Sequence, residues 1–565
     1  MLRIIFLALL VGLVTFAHAQ TPNSKINDKA DSILSQRGEL YFTFILPKSI
    51  SIKTISHLIS IDKISEKKVY AYGNRKEITK FLNLGIDFTI EQQTPANIRL
   101  KAISKNYTSW NQYPTYTQYD SMMKHYPIAF PSLCRLVEIG KSISGRSLYF
   151  MRLGKNPLYH MKKPEVMFSG CMHGDELISY ILPLRLIDYL LNNYNTPEIK
   201  ALMDTAEIWI CPLANPDGTY FGGNNNVTNS IRYNANYIDL NRNFPDPQAG
   251  DHPDDNDWQP ENIAVMNFLK LHNFSLSANF HSGSELVNYP WDTWQKTHAD
   301  DNWFQTISHQ YADTAHKYGP ANFFTAFNNG ITNGYNWYSI QGGRQDFVTY
   351  FKHGREVTVE MDSVKIVPEN KLDQYWQYHY RSMINYLSAV NYGIRGEITD
   401  KYTGKALKAE VFVNNHDFDQ SQIFSDSLSG MYFRMIYEGT YSLTFSANGY
   451  KSLTIDNISV SSKSQTIQDI QLEPLKENIT YNKYFSDVKI YPNPVFSTIN
   501  IHLDSPNYNN ISIVIVDISG KVIYSEKIRN NASEINIPFN DFSPGLYFLK
   551  INSQYQNVVF KFIKQ

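Results

Sequence analysis

Cysteine is scarce: 565 residues contain three, Cys134, Cys171 and Cys211. A framework of disulfides is therefore excluded. Charge of one sign is also missing. The 52 basic and 53 acidic residues leave a formal net charge of −1, with no basic stripe for nucleic acid and no polyacidic tail. After residue 20 no run of 18 apolar residues occurs, so no membrane-spanning helix is expected in the body of the chain. Aromatics, by contrast, are plentiful. The 39 Tyr and 32 Phe favour a folded, strand-rich protein over disorder. The length predicts three or four domains.

Residues 1–20 read as a secretory signal peptide. Arg3 supplies the charge, Ile4 to Phe16 a short apolar run, and Ala17-His18-Ala19 a small-x-small cleavage site. Residues 21–105 alternate between strand and helix patterns and predict a small α+β domain. Leu40 to Leu46 is a strand, and Asn74 with Glu77 forms a helix capping box. This domain is expected to be either a prosegment over the active site or an accessory domain without a regulatory role. Residues 106–390 predict one α/β unit. Its apolar runs at Val166–Ser169, Glu207–Leu213, Ser275–Phe280 and Val357–Glu360 read as strands, and Leu177–Leu191 as a buried helix. From 391 to 475, short strands and turns predict a β-sandwich. A polar linker follows, and 484–565 predict a second all-β module.

Five segments concentrate chemistry: His173-Gly-Asp-Glu176, Arg232 to Asn243, Phe280-His281-Ser282, Trp337-Tyr338, and Glu356 to Glu360. A His-x-x-Glu pair alone is a weak signal. Here it follows a strand and opens a helix, and His281 at a later strand end offers a third N/O ligand of the kind zinc prefers. Cys171 is two residues from His173 but would be redundant as a ligand. Glu360 is a carboxylate left over for proton transfer. Asp239 reads equally well as a carboxylate orienting a metal-bound imidazole or as a turn cap. Asn241 and Arg242 place an amide beside a guanidinium, which suits a planar carboxylate. Arg232, nine residues before Asn241, would stabilise an oxyanion if it lies near the metal; taken singly, an arginine is usually a solvated surface charge.

With these residues in view, segment 106–390 resembles the zinc metallocarboxypeptidases, and within them the regulatory group of carboxypeptidases N, E and D. His173, Glu176 and His281 match the family's zinc ligands. Asn215-Pro-Asp-Gly218 matches its NPDG turn, and Asn241 and Arg242 match its carboxylate clamp. Arg232 to Asn243 matches the regulatory group's oxyanion-arginine segment. Tyr338 and Glu360 are 22 residues apart, as are the family's mobile tyrosine and general-base glutamate. Asp175, where the digestive enzymes carry arginine, is shared with the regulatory group. The sandwich at 391–475 resembles that group's transthyretin-like domain. The last 80 or so residues resemble the sorting domain of type IX secretion cargo in Bacteroidetes, through Tyr491-Pro-Asn-Pro494, Asp517-x-x-Gly-Lys521, Pro544-Gly-x-Tyr547 and the Lys561-Phe-x-Lys564 terminus.

The resemblance implies a mixed-sheet α/β catalytic domain with one zinc ion, flanked by a small α+β domain and two β-sandwiches. It implies hydrolysis at the C-terminus of peptides or proteins. Glu360, Arg232 and Tyr338 are the catalytic groups, with Asp239 behind the metal ligands. Asp292 and Gln345 fall where the regulatory group binds a terminal Arg or Lys. Arg344 could neutralise Asp292 if it turned inward; an outward pose is expected. Competing expectations are a surface binding module and a cell-wall peptide carboxypeptidase. The implied partners are peptide C-termini and the type IX machinery. A monomer is expected, secreted or held at the cell surface.

Overall fold

The computed structural model describes residues 26–565 except 66, 92–109, 226, 476–487, 504–510, 529–532 and 553–556. The signal-peptide and linker expectations fall outside the described residues. The chain divides into two compact units, 1–474 and 475–565.

The first unit begins with a four-stranded antiparallel sheet. Its strands β1 (Glu39–Ile45), β2 (Ser60–Ser65), β3 (Lys68–Asn74) and β4 (Phe88–Ile90) lie in the order β2-β3-β1-β4. Helices Ile52–Ser56 and Arg75–Leu82 connect β1 to β2 and β3 to β4. This is a split β-α-β arrangement. The Asn74 side chain accepts from the Glu77 N–H and the Glu77 carboxylate accepts from the Asn74 N–H, which closes the capping box. Phe42, Phe44, Ile55, Val69, Ile78 and Phe81 form a core belonging to this sheet and its helices.

Next comes an eight-stranded mixed sheet of β5 (Cys134–Lys141), β6 (Ser147–Leu153), β7 (Glu165–Gly170), β8 (Glu207–Cys211), β9 (Phe274–His281), β10 (Ser284–Tyr289), β11 (Ile331–Asn333) and β12 (Arg355–Asp362). The order is β11-β10-β12-β9-β7-β8-β6-β5. The central β12, β9, β7 and β8 run parallel. Every residue of β6, β7, β8 and β12 is buried, as the near-continuous apolar runs require of strands covered on both faces. Helix Ile178–Asn192 packs on this sheet at close range: a Cβ on Gly170 would lie 1.8 Å from the Ser179 carbonyl oxygen. All three cysteines are buried and free.

Two facing sheets follow. One contains Gly393–Asp400 and Met431–Arg434, the other Glu410–Val413, Gly439–Ser446 and Leu453–Val460. Ile394, Ile398, Val411, Leu443 and Phe445 fill the space between them. A buried ion cluster binds this sandwich to the large sheet: Asp300 accepts from Arg355 and Arg434 at 2.8 Å each, and Arg434 also pairs with Asp417 at 2.6 Å. Arg355 opens β12, so the cluster anchors the strand that carries Glu360.

The second unit has a three-stranded sheet (Lys489–Tyr491, Thr498–His502, Glu534–Pro538) and a four-stranded one (Ile511–Asp517, Val522–Ile528, Gly545–Asn552, Asn557–Lys564) around its own aliphatic core. No helix among the described residues is long and apolar enough to cross a membrane.

Candidate active site

The site lies where the parallel strands of the large sheet end. The turn after β7 carries His173 and Glu176, and a second turn supports it. Asn215 donates from its amide to the carbonyls of Arg232 and Tyr233 and accepts from the Gly218 N–H. A Cβ on Gly174 would fall 2.3 Å from the Gly218 carbonyl carbon, so only glycine lets these turns touch. The NPDG segment therefore works as a bracket between the His173 loop and Arg232.

His281 is the last residue of β9, and its backbone partner across the parallel register is Glu360 of β12. Donor atoms of His173, Glu176 and His281 lie within 4.8 Å of one another, and all three residues are buried. His173 Nδ1 is 2.9 Å from Glu176 Oε1, His281 Nδ1 is 2.9 Å from Glu176 Oε2, and the two Nδ1 atoms are 3.1 Å apart. Burial holds the His281 imidazole at about 4, so it is neutral near pH 7 and has a lone pair to give. Two imidazoles and a carboxylate converging on one point fit zinc, which takes N and O ligands.

The groups behind these three are also paired. Asp239 Oδ1 lies 3.1 Å from His173 Nε2, and Oδ2 accepts from Arg232 Nε at 3.1 Å. Oδ1 also accepts from the Asn241 N–H at 2.8 Å. Asp239 thus makes both kinds of contact that the sequence offered, a turn-capping bond to the Asn241 N–H and a carboxylate–imidazole contact with His173. Asn279, which sequence reasoning missed, stands 2.8 Å from His281 Nε2 through its side-chain amide. The signal was available: two residues before His281 in a strand is the same face.

Glu360 is buried, and its Oε2 has no hydrogen-bond partner. Burial, and then the charge of Glu176, push its carboxyl well above the usual range. Lys365 was also missed. Its ammonium is 2.8 Å from Asp62 and 3.4 Å from both Asp175 and Glu176. No local pattern marks a lysine in a loop after a strand, and only the folded chain brings it here.

One cavity is lined by these groups and by the residues around Asp292. His173, Glu176, Arg232, Asn241, Arg242, His281, Asp292, Tyr338 and Glu360 all line it. The Asn241 side-chain oxygen accepts from the Arg344 N–H at 2.9 Å, which leaves its NH₂ for an anion. In the wall of the same cavity Asp292 Oδ1 accepts from Asn288 Nδ2 and Gln345 Nε2, each at 3.1 Å. Its Oδ2 has no hydrogen-bond partner among the described residues, and burial raises the carboxyl to about 7. Gly334 is required beside it, since a Cβ there would meet Asp292 Oδ1 at 1.8 Å.

Arg344 departs from expectation. It is buried at 1% exposure and points inward. Its Nε donates to Glu356 at 2.8 Å and another guanidinium nitrogen to the Ser169 hydroxyl. A buried guanidinium needs a counter-ion, and Glu356 supplies it, so the charge of Asp292 is not the one that Arg344 answers.

A family description for zinc carboxypeptidases matches residues 119–382, and one for secretion system C-terminal sorting domains matches residues 489–565. The chain belongs to the zinc carboxypeptidase family, and zinc is the metal its His-Glu-His group fits. Carboxypeptidase D of Anas platyrhynchos is 32% identical over 462 residues, which cover 77% of this chain and 32% of that protein. The chain therefore spans about a third of that relative's length. Carboxypeptidase M of Mus musculus is 31% identical over 402 residues, 67% of this chain and 83% of that protein. The solved carboxypeptidase A from Helicoverpa armigera shares the fold with a TM-score of 0.50 at 18% identity, covering 61% of this chain and 96% of that one.

Proposed function

We propose that this chain is an exported metallocarboxypeptidase that removes Arg or Lys from the C-terminus of peptides or proteins. The observation that carries the reading is a single cavity lined both by a His-Glu-His group and by a buried carboxylate, Asp292, with one unengaged oxygen. Relatives named carboxypeptidases D, M and N are in keeping with it.

His173, Glu176 and His281 would hold zinc, which when bound would supply Lewis-acid polarisation of the scissile carbonyl and activation of water. Glu360, unpartnered and adjacent to His281, takes the water's proton and returns it to the leaving amine. Arg232, held against Asp239, faces the developing oxyanion. The Asn241 NH₂ and the Arg242 guanidinium dock the terminal carboxylate in two-pronged fashion. Tyr338 closes over the bound residue. Asp292, steered by Gln345, pairs with the cationic side chain of the departing residue. An apolar terminal residue would leave that carboxylate unpaired, at a cost of about 1–3 kcal/mol.

In this reading residues 1–20 direct export, the sandwich at 391–475 braces β12, and the sorting domain delivers the enzyme outside the cell or to its surface. The test is kcat/KM on matched peptides ending in Arg, Lys, Phe and Leu, with zinc content measured in parallel. A preference for Phe or Leu would refute the pocket assignment. Absence of hydrolysis in a zinc-loaded protein would refute the activity.

A further inference from the structure

On the face of the large sheet that carries the site, polar side chains continue beneath the cavity. Ser277, Asn279 and His281 alternate along β9 with Ala278 and Phe280, and Glu356, Thr358 and Glu360 alternate along β12 with Val357 and Val359. A repeat of two puts each polar set on one face. The register joins the sets into a stripe: Ser277 is opposite Glu356, His281 opposite Glu360, and Ser169 of β7 opposite Asn279. His281, Thr358 and Glu360 line the cavity, whereas Ser169, Ser277, Asn279 and Glu356 are buried beside it. The alternating Ala278, Phe280, Val357 and Val359 belong to the apolar core.

Arg344 is the cation on this stripe, and it opens the helix Arg344–Phe351. Its Nε donates to Glu356 Oε1 at 2.8 Å, the Ser277 hydroxyl donates to Glu356 Oε2 at 2.7 Å, and Arg344 Nη1 donates to the Ser169 hydroxyl. Ser169 Oγ is 3.4 Å from the Asn279 side-chain amide, which is in turn 2.8 Å from His281 Nε2. His281 Nδ1 faces His173 and Glu176, so Nε2 is the nitrogen left to carry the proton of the neutral ring. A half-turn of the Asn279 amide, which keeps its place, gives that proton an acceptor oxygen and turns the NH₂ to Ser169. In the other direction, the Arg344 N–H donates to Asn241 Oδ1 at 2.9 Å. Gln345 Nε2 donates to Asp292 Oδ1, and Asp346 accepts from the N–H groups of Asp292 and Thr293. Arg344 Nη2 is buried with no hydrogen-bond partner among the described residues. A buried ion pair that leaves a donor unpaired is not the arrangement that stability alone favours.

We propose that Arg344, fixed by Glu356, is a positioning residue that holds the terminal-residue pocket and the His281 imidazole in one frame. The inference rests on the carboxypeptidase reading of the cavity. Through its own backbone and the two residues after it, Arg344 sets where the Asn241 amide and the Asp292 carboxylate stand. Through Ser169 and Asn279 its guanidinium sets the plane of the His281 ring. It acts on the reacting groups only through these neighbours.

The test uses the full chain. Arg344→Met with Glu356→Met removes both charges and keeps the bulk. Arg344→Lys keeps a charge beside Glu356 but loses the fork that also reaches Ser169. Ser169→Ala cuts only the arm toward His281. Melting curves check that each variant folds. Zinc affinity is read by competition against a chelator. KM and the ratio of kcat/KM for Arg- over Leu-terminated peptides are read on zinc-loaded protein. The double variant is expected to bind zinc roughly tenfold more weakly. Its KM for the Arg peptide is expected to rise at least about tenfold, and the ratio to fall. Ser169→Ala is expected to weaken zinc binding by a similar factor without moving the ratio. Should the double variant not fold, Arg344→Lys is expected to move the same quantities in the same direction. A folded double variant, or Arg344→Lys in its place, with the parent's zinc affinity, KM and ratio would overturn the inference and leave the activity standing. A parent that holds zinc but cleaves neither peptide would refute the proposed activity instead, and the zinc comparison would then decide the positioning of His281.

Discussion

Glu360 of β12 and His281 of β9 are backbone partners in a parallel ladder, so a carboxylate and an imidazole emerge side by side from adjacent strands. Neither residue is near the other in sequence. Their pairing puts a carboxyl group next to the His-Glu-His group without any loop having to hold it there. A site built on paired strands is stiffer than one built on loops.

Glu360→Gln is accordingly expected to keep a full complement of zinc and to lose about 10²–10⁴ in kcat, the usual scale for losing a positioned proton-transfer group. Metal analysis and steady-state kinetics on one sample decide it. Near-normal turnover with the zinc site full would show that another group takes the proton.

Asp239→Asn is expected to weaken zinc binding by roughly ten- to a hundredfold, because the carboxylate that orients His173 and anchors Arg232 becomes a neutral amide. Competition titration against a chelator measures this. An unchanged affinity would reduce Asp239 to the turn-capping role that its bond to the Asn241 N–H already gives it.

Asp292 should set a pH dependence on the substrate side. Burial raises its carboxyl to about 7 in the free protein, so it is mostly neutral below that pH and ionised above. The guanidinium of a terminal Arg stays charged throughout. The ratio of kcat/KM for Arg- over Leu-terminated peptides is therefore expected to rise between pH 6 and 8, and Asp292→Asn is expected to flatten it. The same shift has a stability consequence of opposite sense. The folded protein binds the proton more tightly than the unfolded chain, so this group's stabilising contribution is present below the unfolded carboxyl value near 4. It is lost as pH rises through about 7. A ratio flat across that range in the parent would remove Asp292 from the specificity pocket.

A chain ending at Pro474 is expected to hydrolyse peptides as the full protein does, because residues 475–565 form a separate unit with their own core. In the native host it should remain inside the outer boundary of the cell. Fractionation with an activity assay checks both halves, and normal external delivery of the truncated chain would refute the sorting role.

The sequence by itself determined what short range can specify. His173 and Glu176 are three residues apart across one turn, Asn74 and Glu77 close a capping box, and the Asp239-Leu-Asn-Arg-Asn243 segment caps its own turn and sets an amide beside a guanidinium. Apolar runs marked β7, β8, β9 and β12 to within a residue or two, because a strand buried on both faces needs them. Only the tertiary structure decided the rest. Strand register brought Glu360 to His281, and packing turned Arg344 inward onto Glu356 against the ordinary preference of arginine for water. The folded chain alone set Lys365 among carboxylates and laid β2 across the cavity. Spacing along a chain fixes contacts within a turn or a strand. Contacts between distant segments are fixed by which surfaces bury together and which buried charges must find partners, and those exist only once the chain has folded.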